Sequence, residues 1–206
     1  LNNRRERFLT PTEAERLLSD LEMVSDRLHD MSLLSLHTGM RAGEIFSLRW
    51  GDVDLDNKLI HIADPKSGEA RKAFMTQAVA EALQARKNGE NYLEEYVFTA
   101  NRGSGIGGRI LEVSNAFARA VDRLGFNDGI TDPRQKATFH TLRHTFASWL
   151  ALRGTPILTI KELLGHKSLA MTERYSHLLP DHKREAVSQL EQYLENERAL
   201  ERGKLN

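Results

Sequence analysis

The hydrophobic residues of this chain change their spacing twice, and this change constrains the fold more than any other feature of the sequence. Up to residue 48 the apolar residues recur every three or four positions, which is typical of helices buried along one face. Between residues 53 and 75 they fall into short runs separated by turn residues, and from residue 77 the helical spacing returns. The sequence therefore predicts a mainly α protein with a small antiparallel β-sheet, in the α+β class.

Residues typical of helix ends bound the helical segments. The first helix is predicted over residues 10–21, because Thr10 can cap it and Glu13 can complete a capping box. A second helix is predicted over residues 26–37, and Gly39 can end it in the left-handed conformation that glycine tolerates. Further helices are predicted over residues 43–48, 77–87, 113–124, 141–152, 156–164 and 169–175.

The segment between these helices predicts an antiparallel meander. Its strands are predicted at Val53–Leu55, Leu59–Ile62 and Ala73–Met75. The pairs Asp56-Asn57 and Ser67-Gly68 separate the runs as turns. A further short extended piece is predicted over residues 96–98.

Composition narrows the class of protein. The chain has 29 basic and 29 acidic residues, a balance that does not favour a nucleic-acid partner, although net charge says nothing about its distribution. The absence of cysteine excludes disulfides, thiolate zinc sites and a cysteine nucleophile. No run is long enough to span a membrane and no signal peptide is evident, so we expect a cytoplasmic protein without a membrane partner. Because the first residue is Leu1, we expect a fragment or a processed form.

Two arginines stand where helix N-termini are predicted. Arg41 lies in the break between two helices, where unpaired N–H groups and partial positive charge favour an anion. Arg143 is predicted in the first turn of the 141–152 helix, off the buried stripe that begins at Leu142, and therefore accessible to an anion. His140 is predicted to precede the cap of that helix. Taken alone, Arg41 is better explained as a surface arginine that caps a turn, and the segment of His140 and Arg143 also fits an ordinary amphipathic helix with polar residues in its first turn.

A third group follows the 156–164 helix. Gly165 can end that helix, His166 occupies the turn, and Ser168 can cap the next helix. Tyr175 lies at the far end of that next helix. By itself, this pattern describes a helical corner with a partly buried tyrosine.

These groups occur in a characteristic order: Arg, then His-x-x-Arg, then Gly-His, then Tyr. The stretches that contain them are TGMRAGEIFSLRW, FHTLRHTFASWL and LLGHKSLAMTERYSH. In wording and spacing the chain resembles the catalytic domain of the tyrosine recombinases, the phage integrase family, from about Phe8 to about His182. The resemblance implies site-specific DNA recombination or integration, as in mobile elements. It also implies DNA cleavage and rejoining through a covalent 3′-phosphotyrosine, without a metal or nucleotide cofactor.

The resemblance implies a role for each matching residue. Arg41 and Arg143 resemble the arginines that clamp the scissile phosphate. His140 and His166 resemble the two histidine positions of the family, and Tyr175 resembles the nucleophile. Arginines and histidines can stabilise the charge that builds on a phosphate without a metal.

A lysine and a glutamate complete the implied site. The family has a lysine in a β-hairpin turn, and Lys66 fits that position better than Lys72, which lies on the strand side. Such a lysine can protonate the leaving 5′ oxygen. Glu44 matches the acidic residue after the first arginine and is expected to orient Arg41. A phenol has an ordinary pKa of about 10, so the tyrosine needs a base such as His140 to accept its proton.

Other patterns support weaker alternatives. Residues 103–108 match G-x-G-x-x-G but lack a surrounding βαβ unit, so a loop is predicted. His140 and His144 have the spacing of a helical zinc pair, but Thr141 stands where a metalloprotease needs glutamate. The open alternatives are a metal-dependent hydrolase, which loss of activity in chelator would favour, a DNA-binding regulator that has lost catalysis, and a type IB topoisomerase-like activity.

The resemblance also implies partners and a domain division. Residues 1–180 are expected to form the catalytic domain, and residues 181–206 a charged helical tail that docks on a neighbouring subunit. The tail has one apolar face, formed by Val187, Leu190 and Leu194. The expected partners are double-stranded DNA, further copies in a tetramer on paired DNA sites, and an N-terminal DNA-binding domain that is missing from this chain.

Overall fold

The computed structural model describes residues 7–63, 70–87, 93–100, 107–180 and 187–196. In chain order the elements are α1 (Pro11–Glu22), α2 (Asp26–Thr38), α3 (Ala42–Phe46), β1 (Val53–Asp54), β2 (Leu59–Ile62), β3 (Arg71–Phe74), α4 (Gln77–Arg86), α5 (Asn115–Arg123), α6 (Phe139–Leu152) and α7 (Ile157–Leu164). Short 3₁₀ helices occupy Trp50–Asp52, Leu169–Met171 and Glu173–Leu178. Residues 187–196 are also helical. The predicted class, mainly α with a small antiparallel sheet, is confirmed.

The sheet is an antiparallel meander with the strand order β1-β2-β3. Val53 pairs with Ile60, and Ile60 pairs in turn with Ala73. The third strand begins two residues earlier than predicted, because Arg71 still pairs with Ile62 on the neighbouring strand. The predicted turn at residues 67–68 lies outside the described residues.

The core forms where α2 packs against α6. Leu34 of α2 and Leu142 of α6 are both fully buried, as expected for helices that cross at the centre of a domain. A second, smaller hydrophobic cluster lies between α6, α7 and the 3₁₀ helix Glu173–Leu178. Its buried members are Ala147, Ala151, Ile160, Leu164 and Tyr175.

The N-cap of α1 and the C-cap of α2 are as predicted. Thr10 and Glu13 form the capping box of α1. Gly39 ends α2 with φ 68°, in the left-handed region where a side chain is strained.

One helix boundary and one helix type in the C-terminal half were predicted wrongly. Helix α6 begins at Phe139, because Thr138 caps it in a box with Thr141. His140 therefore lies inside the helix and does not precede its cap. Residues 169–175, predicted as α-helix, form 3₁₀ turns instead, since the N–H of Thr172 bonds the carbonyl of Leu169 and that of Tyr175 bonds Thr172, each three residues back.

Gly39 supports a prediction about stability. A Cβ on Gly39 would lie 2.6 Å from Cδ1 of Phe146, whereas a Cβ on Gly129, which has φ 70°, would meet no atom within 4 Å. Gly129→Ala should cost only the backbone strain, about 1–2 kcal/mol. Gly39→Ala should cost about 1–3 kcal/mol more, because it adds the clash. Urea denaturation measures the difference, and equal midpoints for the two variants would contradict it.

Candidate active site

Arg41 and Glu44 form a pair at the start of α3. Arg41 occupies the N-cap position, and its backbone N–H bonds Oε2 of Glu44 at 2.7 Å. Its Nη1 lies 3.0 Å from Oε1 of Glu44, and its Nη2 donates to the carbonyl of Gly165 at 3.3 Å. The side chain of Arg41 is still 40% exposed, so its guanidinium is held in place and remains accessible to an anion.

Arg143 is buried, which corrects the prediction that it lies exposed in a first helical turn. Only 3% of the residue is exposed. Its Nη1 donates to the carbonyl of Gly39, and its Nη2 donates to the carbonyl of Leu164 at 2.6 Å. Burial, together with the nearby charge of Arg41, lowers the pKa of Arg143 to about 9. A buried guanidinium is tolerated here because backbone carbonyls accept hydrogen bonds from its N–H groups.

The turn after α7 places His166 beside both arginines. Gly165 ends the helix with φ 60°, and Nδ1 of His166 lies 2.8 Å from Oγ1 of Thr172. Burial and then the charges of Arg143 and Arg41 lower the pKa of His166 to about 3. His166 is therefore a neutral imidazole at neutral pH. In the tautomer that carries its hydrogen on Nε2, Nδ1 accepts from Thr172 and the Nε2–H is a donor that His166 can offer to an anion.

Tyr175 contacts a histidine that was not among the predicted site residues. Its Oη lies 2.7 Å from Nδ1 of His144, and the two residues are each 5% exposed. Burial raises the pKa of Tyr175 to about 12, although the charges of Arg174 and Arg143 act in the opposite direction. In the sequence, His144 was noted only for its zinc-pair spacing with His140. Its position directly after Arg143 was the one sequence feature that could have marked His144 as a site residue.

His140 lies one turn before His144 on the same face of α6. It is exposed, and its ring stands edge-on to that of His144 with centroids 4.8 Å apart. Residues four apart on a helix are neighbours on one face, which explains the contact. The two histidines therefore differ in burial, and the buried one contacts Tyr175.

Arg71 is a second residue that sequence reasoning missed. Its Nη2 lies 2.7 Å from Oε2 of Glu44, and its Nη1 donates to the carbonyl of Leu163 at 3.1 Å. Its side chain covers Gly165, leaving no room for a Cβ there. Burial lowers the pKa of Arg71. Arg71 thus ties β3 to the segments that hold Arg41 and His166, and only its proximity to Lys66 in sequence hinted at this.

Some residues that the sequence singled out lie outside the part of the chain that the structure describes. Lys66 lies outside the described residues, as do residues 103–106 of the glycine-rich loop. Lys72 lies on β3 opposite His61 and is exposed.

Within the described ranges, no group of three His, Asp or Glu side chains is placed to hold a metal ion. In the same part of the chain, no helix has the length and apolar character needed to cross a membrane.

Comparisons with known proteins show the family to which the chain belongs. The sequence profile described as the phage integrase family matches residues 7–182. The integrase of Salmonella phage P22 is 29% identical over 92% of this chain and 48% of its own length. Tyrosine recombinase XerA of Saccharolobus solfataricus is 32% identical over 84% of this chain and 53% of its own length.

Solved structures show the same similarity. The catalytic domain of bacteriophage HP1 integrase superposes with a TM-score of 0.64 at 26% identity, over 88% of this chain and 93% of that domain. The chain spans about half the length of the curated relatives that it matches. In extent the chain is similar to the catalytic domain of HP1 integrase.

Proposed function

Because this chain belongs to the phage integrase family, the family of the tyrosine recombinases, we propose that it is the catalytic domain of a site-specific DNA recombinase. One observation carries the proposal. Two arginines more than a hundred residues apart, Arg41 and Arg143, donate to the consecutive carbonyls of Gly165 and Leu164, next to His166. Tyr175 is bonded to the residue that follows Arg143. The chain thus gathers phosphate-binding cations and a candidate nucleophile in one place.

The cations account for phosphate binding and for stabilisation of the transition state. In this proposal Arg41 and Arg143 bind the non-bridging oxygens of the scissile phosphate with their planar forks of N–H donors. A pKa of about 9 keeps Arg143 protonated at neutral pH. His166 adds a neutral N–H donor, and His140 adds a further imidazole at the exposed edge. Donors fixed before the reaction stabilise the charge that develops on the phosphate.

The covalent step conserves the energy of the phosphodiester bond. Tyr175 attacks phosphorus, and the bond to the 5′ oxygen breaks as a 3′-phosphotyrosine forms. Lys66 is proposed as the acid that protonates the leaving 5′ oxygen. When a 5′ hydroxyl attacks the phosphotyrosine, the same groups act in reverse. No metal or nucleotide is needed, because side chains supply the positive charge and the tyrosine ester retains the bond energy.

The phosphate clamp formed by Arg41 and Arg143 is supported by Glu44. The carboxylate of Glu44 forms ion pairs with both Arg41 and Arg71. Glu44→Gln should reduce DNA cleavage by about tenfold to a hundredfold, because a charge-assisted hydrogen bond contributes about 1.5–3 kcal/mol. The exposed Glu162 of α7 offers a matched control, and Glu162→Gln should leave cleavage unchanged. Single-turnover cleavage rates measure both. Equal rates for the two variants would remove Glu44 from the clamp.

A covalent adduct tests the proposed function directly. The chain is incubated with a pool of random-sequence duplexes that are nicked so that cleavage releases a short strand and traps the intermediate. Mass spectrometry of the digested adduct is expected to find a phosphonucleotide on Tyr175, in equal yield with and without EDTA. A metal-dependent hydrolase would lose activity in EDTA, and an inactive DNA-binding module would form no adduct.

The proposed partners are double-stranded DNA, an N-terminal DNA-binding domain, and three further copies of the protein on paired sites. In this proposal residues 1–180 form the catalytic domain, and residues 181–206 form a tail that docks on a neighbouring copy. The exposed apolar side chains of residues 187–196 support the tail's role. Val187 is 67% exposed, Leu190 57% and Leu194 44%. Apolar side chains of this size on one helix face gain stability when a partner covers them.

Truncation after Pro180 tests the tail. On duplexes recovered from the cleaved pool, the truncated chain should bind single sites nearly as well as the intact chain, because the clamp residues all precede the cut. It should form at least about tenfold fewer paired-site complexes, since about 1.4 kcal/mol of lost contact changes an equilibrium tenfold. Sedimentation and gel-shift assays separate the two species. Unchanged pairing by the truncated chain would leave the tail without an assembly role.

A further inference from the structure

The side chain of Tyr175 is buried inside the protein. The side chain packs in the cluster formed with Ala147, Ile160 and Leu164. Its Oη has a 2.7 Å contact with Nδ1 of His144, which is as buried as the tyrosine itself. A close contact between two buried polar groups is costly to lose, because neither group regains water when it breaks. The pair therefore fixes where the phenolic oxygen stands.

We infer that His144 holds Tyr175 in its place and accepts the phenolic proton when the tyrosine attacks the phosphate. The inference has two halves. The positional half, that His144 holds Tyr175, rests on the contact alone. The chemical half, that His144 accepts the proton, rests on the proposed function. The exposed His140 then remains with the phosphate, and the buried His144 serves the nucleophile.

In the inferred arrangement the phenol of Tyr175 donates the hydrogen bond and Nδ1 of His144 accepts it. Burial keeps Tyr175 protonated at neutral pH, since its pKa is raised to about 12. The hydroxyl therefore carries a proton, and Nδ1 of a neutral imidazole is an acceptor when Nε2 carries the ring hydrogen. This tautomer places a base within hydrogen-bond reach of the atom that must lose a proton, which is the geometric requirement for general-base catalysis.

The step balances without any added reagent. The Oη–H bond of Tyr175 breaks and an Nδ1–H bond forms on His144, while the oxygen's electron pair forms the new bond to phosphorus. The bond from phosphorus to the 5′ oxygen breaks, and that oxygen takes a separate proton from the acid, proposed as Lys66. In the rejoining step the imidazolium of His144 returns its proton to the departing phenolate.

Two substitutions of His144 distinguish its role in holding Tyr175 from its role in accepting the phenolic proton. In His144→Asn the amide oxygen takes the position of Nδ1, one bond beyond Cγ, so it can still accept a hydrogen bond but cannot act as a base at neutral pH. In His144→Leu the acceptor is lost while most of the side-chain volume is kept. His177→Asn is the matched control, because His177 is exposed on the same 3₁₀ helix as Tyr175.

The positional half is tested by acetylating tyrosines with N-acetylimidazole and locating the label by mass spectrometry. Tyr193 is 59% exposed and serves as the internal reference, whereas Tyr175 is 5% exposed. We expect Tyr175 to be protected in the unaltered chain, in His144→Asn and in His177→Asn. We expect it to be labelled at least about tenfold faster in His144→Leu, as loss of the bond shifts the docked equilibrium by about 1.4 kcal/mol or more. Equal protection in His144→Leu would overturn the holding role.

The chemical half is tested by adduct formation on the nicked duplex pool. His144→Asn should dock its tyrosine but form the adduct about a hundredfold or more slowly, the usual contribution of a general base. Adduct formation by His144→Asn at the rate of the unaltered chain would overturn the proton-accepting role. Faster adduct formation by His144→Leu would show that the contact restrains the nucleophile, which contradicts the inference.

Failure of the proposed function would be recognised separately. If the unaltered chain forms no adduct with any duplex, the proposed function fails and the proton-accepting role falls with it. The labelling experiment involves no DNA, so it still decides whether His144 holds Tyr175.

Discussion

Tyr175→Phe is expected to abolish covalent attachment to DNA while leaving DNA binding near that of the unaltered chain. The substitution keeps the ring that packs against Ala147 and Ile160 and removes only the hydroxyl. The fold should survive, since the loss of the 2.7 Å bond to His144 should cost no more than about 1–3 kcal/mol. The chemistry should not survive, because a phenyl ring has no oxygen to form the phosphodiester.

Tyr193→Phe provides the matched control, because Tyr193 is 59% exposed on the helix of residues 187–196. Both variants are incubated with the nicked duplex pool, and the adduct is measured on a denaturing gel. The control should form as much adduct as the unaltered chain. An undiminished adduct in Tyr175→Phe would exclude Tyr175 as the nucleophile.

Arg143→Lys is expected to reduce cleavage by a factor on the order of 10²–10³, the effect of removing one fixed donor from an oxyanion site. Arg143 uses two nitrogens of one rigid fork to bond Gly39 and Leu164. A lysine ammonium is a single point of charge and cannot reproduce that fork while also facing a phosphate. Arg41→Lys should have an effect of similar size, for the same reason.

The exposed Arg153, which caps the C-terminus of the same helix, offers the control. Arg153→Lys should cleave at the rate of the unaltered chain. Thermal unfolding of each variant shows whether Arg143→Lys acts through the site or through loss of the fold. Cleavage at the unaltered rate by folded Arg143→Lys and Arg41→Lys chains would refute the phosphate clamp.

The sequence by itself determined most of the elements and their order. Helix caps act within a few residues, so Thr10, Glu13 and Gly39 could be assigned correctly from local pattern. The change in hydrophobic spacing located the small sheet, since a strand and a helix bury alternating and three-to-four-spaced residues respectively. The order and spacing of the site motifs identified the family, which the match over residues 7–182 confirms.

Only the tertiary structure decided which of these residues meet. Arg143 was expected on the surface, yet it is buried, and carbonyls 104 and 21 positions away in the sequence accept its hydrogen bonds. His144 and Tyr175 are 31 positions apart, and Arg71 and Leu163 are 92 apart. Periodicity tells which residues share a helix face, but it carries no information about which faces pack together. The partners of Arg143, Arg71 and Tyr175 therefore depend on how α2, α6 and α7 pack, and only the folded chain specifies that packing.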